Sequence, residues 1–357
     1  MTRRLSNSPL KAVSVPKRLG CLRVLCLMHP RLLQVRLAAQ AGSASTEQWR
    51  RARLISPSMA RGVLLTLLAC GSPVAPPLTD PRGLLLVIRG VGPKAEIYAL
   101  RPDGTESRQL THDTSLDATP DWSPDGRHIV FIRVQDTTSA ASPSGPEIWV
   151  MNADGSGQRR LVDATNSPEH PRWSPDGQQI AFEAYDPSVG MFRPYLISAD
   201  GSNVHALSST AGNAASGEWS PDGTQLLFLS NRAAPYSYAM YVVQIDGSGE
   251  HQVVGDSACT ADVSDPRWSP DGARIAYTCH ASSGGAIYTI RTDGTGRVPV
   301  TAPGWGPAWS PDGRQLALGS SRDGGYDVYI VDMSSGAVSR VTRDGATYGV
   351  AAWGGGR

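Results

Sequence analysis

Trp122-Ser123-Pro124-Asp125-Gly126 runs into the apolar stretch Ile129-Val130-Phe131, and the whole unit recurs along the chain. The same pentapeptide begins again at Trp173, Trp219, Trp268 and Trp309, at spacings of 51, 46, 49 and 41 residues. Each copy leads into a matching run: Ile180-Ala181-Phe182, Leu226-Leu227-Phe228, Ile275-Ala276-Tyr277 and Leu316-Ala317-Leu318. A second apolar stretch with an aromatic follows each run, ending in a glycine turn such as Asp154-Gly155 or Asp246-Gly247. A short fourth stretch, such as Arg160-Leu161-Val162, completes the unit. Short runs of β-branched and aromatic residues bounded by Gly, Pro, Asp and Ser read as strands. Four strands in a repeat of this length make one propeller blade.

The turn chemistry agrees. Proline presets φ at the second turn position, aspartate bonds to its own backbone, and glycine takes the position with positive φ. The pentapeptide is therefore a tight hairpin between the first and second strands, A and B. The Asp-Gly pair turns the chain between the third and fourth, C and D. The tryptophan, just before the first turn, is placed to wedge between adjacent blades.

Six aromatics occupy the strand C position: Tyr98, Trp149, Tyr195, Tyr241, Tyr288 and Tyr329. The first lies ahead of every pentapeptide, and a sixth strand A tryptophan, Trp353, lies 44 residues after Trp309. The chain thus starts with strands B, C and D of one blade and ends with strand A of the same blade. The expectation is an all-β, six-bladed propeller over residues 84–357, closed by pairing of residues near 349–353 with 84–89. Closure removes the sheet edges that would recruit other chains, so a monomer is expected.

Charge divides the chain. Residues 1–61 hold 12 Lys and Arg against one acid, Glu47, while the remainder carries 21 basic and 31 acidic residues. A mildly acidic propeller is a poor nucleic-acid binder, and none is expected as a partner. Residues 1–58 read as a basic extension, either disordered or upstream of the true start at Met59, with a targeting leader as the competing view. Residues 59–69 read as a signal segment. Leu67-Leu68-Ala69-Cys70 resembles a bacterial lipobox, which implies acylation of Cys70 and a lipid anchor as the only membrane contact. Residues 70–83, with four prolines, form a stiff tether.

Two of the five cysteines, Cys259 and Cys279, fall inside the propeller, at loop ends that point to one face. A disulfide between them is expected in an oxidising envelope compartment. The Ser-Pro-Asp-Gly and Asp-Gly turns line a plain face. The opposite face carries the longer, dissimilar D–A and B–C loops, where function on repeat scaffolds concentrates. Its candidate binding residues are His112, Asp113, Asp117, Glu169, His170, Arg232, Tyr236, Asp262, Trp305, Arg322, Asp323 and Tyr348. The six tryptophans Trp122, Trp173, Trp219, Trp268, Trp309 and Trp353 are assigned to the scaffold.

No nucleophile elbow, phosphate loop or His-Glu-x-x-His motif is present. The turn aspartates recur once per blade, which fits turn capping rather than calcium. His112 and His170 lie beside carboxylates near the central channel, where a His/acid pair suits metal binding or general-base work. A lone polar loop histidine is the ordinary reading, so no catalytic residue, metal or cofactor is expected.

Pro120 to Phe131, Pro171 to Phe182 and Pro266 to Tyr277 resemble the WD40-like (PD40) repeat of the TolB family of propellers. Ser321-Arg322-Asp323-Gly324 before Val328-Tyr329 resembles that family's B–C loop. The resemblance implies a periplasmic six-bladed propeller that binds an envelope protein or peptide. The family's α/β domain ahead of the propeller has no counterpart between Cys70 and the first strand. The same repeat occurs in peptidase propellers and polysaccharide lyases, so an envelope lyase or hydrolase with its site at the channel mouth is the alternative.

Overall fold

The computed structural model describes the backbone of residues 23–29 and 32–38, and residues 83–135, 145–207, 213–234, 237–254, 259, 262–281 and 284–355. The signal segment 59–69, Cys70, the tether up to residue 82, and Tyr236 lie outside the described residues. Two units are present, Met1–Pro76 and Pro77–Arg357. In the first, Arg23–His29 pairs antiparallel with Leu32–Ala38. Among the described residues, no helix is long and apolar enough to cross a membrane.

The second unit is a six-bladed propeller of four-stranded antiparallel sheets. Blade 1 takes its strand A from the C-terminal end, Tyr348–Trp353, and its strands B to D from Leu85–Arg89, Glu96–Leu100 and Ser107–Gln109. Tyr348 stands opposite Arg89 and Trp353 opposite Leu85, which closes the ring as the repeat count requires. Strands A of blades 2 to 6 are Leu116–Trp122, Glu169–Trp173, Ala214–Trp219, Asp262–Trp268 and Trp305–Trp309. The six strands A touch one another in cyclic order and surround the central axis.

The core lies between blades rather than within them. Six buried apolar clusters each draw on two neighbouring blades, one cluster per interface. In blade 2, Ile129 and Phe131 face blade 1, whereas Val130 and Ile132 face blade 3. Side chains alternate along a strand, and both faces of strand B are covered, so its sequence is an unbroken apolar run.

Each pentapeptide turn is closed by the glycine N–H donating to the serine carbonyl, at 2.8 Å in Gly126–Ser123 and 2.9 Å in Gly177–Ser174. The serine hydroxyl donates to the aspartate, at 2.6 Å in Ser220–Asp222, and the aspartate also accepts the N–H two residues on. The glycine has a second duty. A β-carbon on Gly177 would lie 3.2 Å from Pro124 of the preceding turn, and those on Gly223, Gly272 and Gly313 would meet Pro175, Pro221 and Pro270. Each turn glycine from Gly177 onward therefore receives the proline of the turn before it. Gly355 completes this set against Pro311, where a β-carbon would approach to 2.1 Å. The tryptophans also join blades. The Trp219 indole donates to the Arg172 carbonyl and Trp309 to that of Arg267, both at 3.2 Å.

Candidate functional site at the channel mouth

Every strand A carries a register irregularity just before its tryptophan, between Ala118 and Asp121, Glu169 and Arg172, or Ser264 and Arg267 for example. A bulge bends a strand and re-aims a side chain. The residue three before the tryptophan takes up the bend with positive φ: Thr119 at 47°, His170 at 46°, Asp265 at 50° and Gly306 at 57°. Histidine and aspartate tolerate this region better than a β-branched residue does. In blades 2, 3 and 5 the bulge thus sets one variable side chain where strand A leaves the variable face.

In blade 3 that side chain is His170. Its Nδ1 contacts a carboxylate oxygen of Glu183 and lies 3.9 Å from Glu169. Glu183 comes from strand B, Gln179–Asp186, where it stands directly opposite Glu169. The donor atoms of the three lie within 4.8 Å of one another. Glu183 is buried, whereas 32% of the His170 side chain and 46% of Glu169 remain open. Burial disfavours an imidazolium, but the Glu183 carboxylate outweighs it and holds His170 above its ordinary pKa. Burial also raises Glu169. Tyr238 of blade 4 is raised by burial and then by Asp262, Glu183 and Glu169, whose negative field reaches it.

Below the mouth, the residue before each tryptophan forms a charged constriction. These are Asp121, Arg172, Glu218 and Arg267, followed by Ala308 and Ala352. Glu218 receives Arg267 at 2.8 Å and Arg172 at 3.4 Å. Arg267 also donates to the Ala351 carbonyl across the axis at 2.9 Å, and Asp121 accepts the Trp173 N–H at 2.9 Å. The sequence reading passed over this set. Its signal was the alternation of charge at one fixed offset from the tryptophan.

A second cluster sits in blade 5. The Ser264 hydroxyl lies 2.8 Å from His280 Nε2 and 2.7 Å from an Asp265 oxygen. A serine has one proton to donate. If it goes to Asp265, Nε2 must donate to the serine and is no base for it, so this is not a Ser-His-Asp relay.

Several residues expected on loops belong instead to strand A and to the scaffold. Asp117 is fully buried and takes a two-point contact from Arg133, both bonds 2.7 Å. Arg133 also pairs with Asp113 at 2.6 Å. Asp262 accepts the N–H of Tyr238 at 2.9 Å and so ties blade 5 to blade 4. Tyr348 is buried, donates to Asp344 at 2.9 Å, and burial with that bond pushes its pKa up to about 12. Arg232 lies 4.2 Å over the Tyr241 ring and pairs with Glu250; Arg322 lies 5.0 Å over Tyr329, whose hydroxyl donates to Asp323 at 2.7 Å. These arginines cap the strand C aromatics, and a cation over a ring is stabilising where it is partly desolvated. Trp305 packs against Tyr326 at 5.5 Å, and His112 is exposed and outside the His170 cluster.

Cys259 and Cys279 are joined in a disulfide with Cα atoms 5.5 Å apart, and the Arg297 guanidinium lies 3.3 Å from the Cys279 sulfur. Beside the mouth, the hairpin between strands B and C of blade 3 presents Tyr185, Val189 and Met191 to solvent. Its tip is braced by Asp186, which accepts from Ser188 at 2.6 Å and Arg193 at 2.9 Å, and by an edge-on contact of Tyr185 with Phe192. On the plain face, a cavity of about 580 Å³ opens between the turns of blades 5 and 6, beside Arg274, Trp309 and Met333.

The family model described as TolB beta propeller domain matches residues 232–355. Over those residues the chain matches a TolB-type propeller domain. It is 35% identical over 80 residues to the Tol-Pal system protein TolB of Geobacter sulfurreducens, covering 22% of this chain and 17% of that protein. It is 33% identical over 84 residues to the uncharacterized peptidase YuxL of Bacillus subtilis, covering 24% and 12%. The crystal structure of TolB from Acinetobacter baumannii superposes with a TM-score of 0.65 at 15% identity, covering 76% of this chain and 67% of that one. The chain spans less than a third of the length of the curated relatives it matches. The matched stretches thus belong to proteins named for an envelope system and for a peptidase, and the scaffold does not choose between binding and catalysis.

Proposed function

We propose that this propeller is a binding module of the bacterial envelope, lipid-anchored through Cys70, that holds another envelope protein or peptide on its variable face. The carrying observation is the braced hairpin of blade 3, which sets Tyr185, Val189 and Met191 in solvent beside the acidic mouth. A preorganised apolar tip loses little entropy on docking, which favours a protein partner over a small substrate. The charged constriction beneath supports this reading, because Arg172, Glu218 and Arg267 spend their charge on one another. The TolB relatives belong by name to the Tol-Pal system, which agrees with a periplasm-facing place.

The test is affinity capture from envelope extracts with the lipid-anchored chain. A partner recovered in stoichiometric amount, reduced at least tenfold by Val189→Asp with Met191→Asp and unchanged by plain-face Val204→Asp, supports the reading. Equal capture by all three proteins overturns the assignment of the face. Turnover of envelope glycans or peptides, lost on His170→Asn, overturns the assignment of class. Anchoring is tested separately by labelling with palmitate, which Cys70→Ala abolishes if the lipobox is used.

A further inference from the structure

Blade 3 departs from its own repeat at the channel mouth. The positions held there by Glu169, His170 and Glu183 are Ala118, Thr119 and Ile132 in blade 2, and Trp305, Gly306 and Gly319 in blade 6. In blade 5 they are Ser264, Asp265 and Thr278. Only blade 3, among these, brings an imidazole and two carboxylates together. The arrangement is costly in isolation. Glu169 and Glu183 stand directly opposite one another on antiparallel strands, where like charges destabilise a sheet. Asp262 adds to the negative field at the same mouth. The bulge turns His170 onto this pair, and its Nδ1 meets both carboxylates.

We infer that Glu169, His170 and Glu183 form a binding site for one borderline divalent cation of the zinc class. One imidazole nitrogen and two carboxylate oxygens suit such an ion, which takes nitrogen and oxygen ligands in tetrahedral geometry. The cation takes the place of the proton held between His170 and Glu183 and neutralises the opposed carboxylates. Bonds of about 2.0–2.2 Å set donors roughly 3.4 Å apart in a tetrahedron. The donors already lie within 4.8 Å, so side-chain adjustment of about an ångström completes the site. Three protein ligands leave a fourth position on the open side, where His170 and Glu169 meet solvent, for water or a donor from a bound partner. The site stands independently of the proposed binding function.

The experiment is a titration of the full chain at pH 8 with Co2+, followed by visible absorption, with Zn2+ as competitor and metal counted per chain. The expected result is one Co2+ per chain with a spectrum of nitrogen and oxygen ligands, displaced by Zn2+. His170→Asn, which accepts positive φ, and Glu169→Gln, at a half-open side chain, each weaken affinity at least tenfold. His205→Asn, exposed on the plain face, leaves it unchanged. Absence of binding at millimolar Co2+ overturns the inference. So does a sulfur charge-transfer band with binding that survives His170→Asn, since it places the ion on cysteine. Folding of each variant is checked by its thermal transition, and two unfolded variants would return the triad to a purely structural role.

Discussion

The two faces of the propeller follow opposite rules. On the plain face one turn is written five times, with the same serine, proline, aspartate and glycine making the same bonds and four of the five glycines receiving the preceding turn's proline. On the variable face the blades differ, and in blades 2, 3, 5 and 6 the bulge before the tryptophan holds threonine, histidine, aspartate and glycine in turn. Repetition marks what every blade interface needs. Deviation at a fixed structural position marks what one blade does alone. The blade 3 triad stands out by that contrast and matches no motif.

Ring closure carries the largest expected effect. A chain ending at residue 345 lacks the strand that pairs with Leu85–Arg89 and leaves two open sheet edges. It is expected to yield no folded monomer by size exclusion and circular dichroism; a stable monomer would mean that closure is dispensable. Trp219→Ala removes a fully buried indole that joins blades 3 and 4. It should cost about 3–5 kcal/mol in urea unfolding. Trp309→Ala, from a half-buried site, should cost less. Removing the disulfide with Cys259→Ser and Cys279→Ser should cost about 3 kcal/mol through the 20-residue loop it closes.

Smaller effects separate the faces further. Gly177→Ala forces a side chain onto φ 70° and against Pro124, so a loss of about 1–2 kcal/mol is expected. Acid should act through the same turns. The serine hydroxyl, and then a backbone N–H, hold Asp222, Asp271 and Asp312 below the ordinary carboxylate range. The carboxylates of the C–D turns, Asp154, Asp200, Asp246 and Asp293, are lowered in the same way. A group lowered in the folded state contributes stability above its unfolded pKa, roughly 4, and loses it as pH falls through the folded value. The contribution of these turns to the urea midpoint should therefore be constant above about pH 5 and fall below about pH 4, whereas His170, raised in the folded state, adds a loss as pH rises through its folded pKa. An unchanged midpoint at pH 3 would remove the turns from the stability argument. The smallest effect belongs to the variable face: Val189→Asp should change stability by less than about 0.5 kcal/mol, because the tip supports no core.

Local chemistry made the fold legible. Blade number, ring closure and the plain face all follow from residues within a few positions of each tryptophan, because turn geometry and strand alternation are short-range properties. The loops were harder. Asp117, Asp262 and Tyr348 looked like free polar loop residues, yet each is spent on a bond within or between blades. Arg232 and Arg322 looked like interface anchors, yet they cap the aromatics of strand C. Sequence position marks where a polar side chain starts but not which neighbour satisfies it.

The chain's own letters were enough to count six blades, to close the ring through Trp353 and to separate a repeated face from a variable one. They named His170 as a candidate but left it a lone histidine. Folding gave it Glu183, thirteen residues away, by pairing strand B against strand A and by bending strand A at a bulge. It also gathered Arg172, Glu218 and Arg267 from three blades into one constriction. Periodicity along the chain encodes contacts that every repeat shares. A site built from what differs between repeats exists only once the blades stand around a common axis.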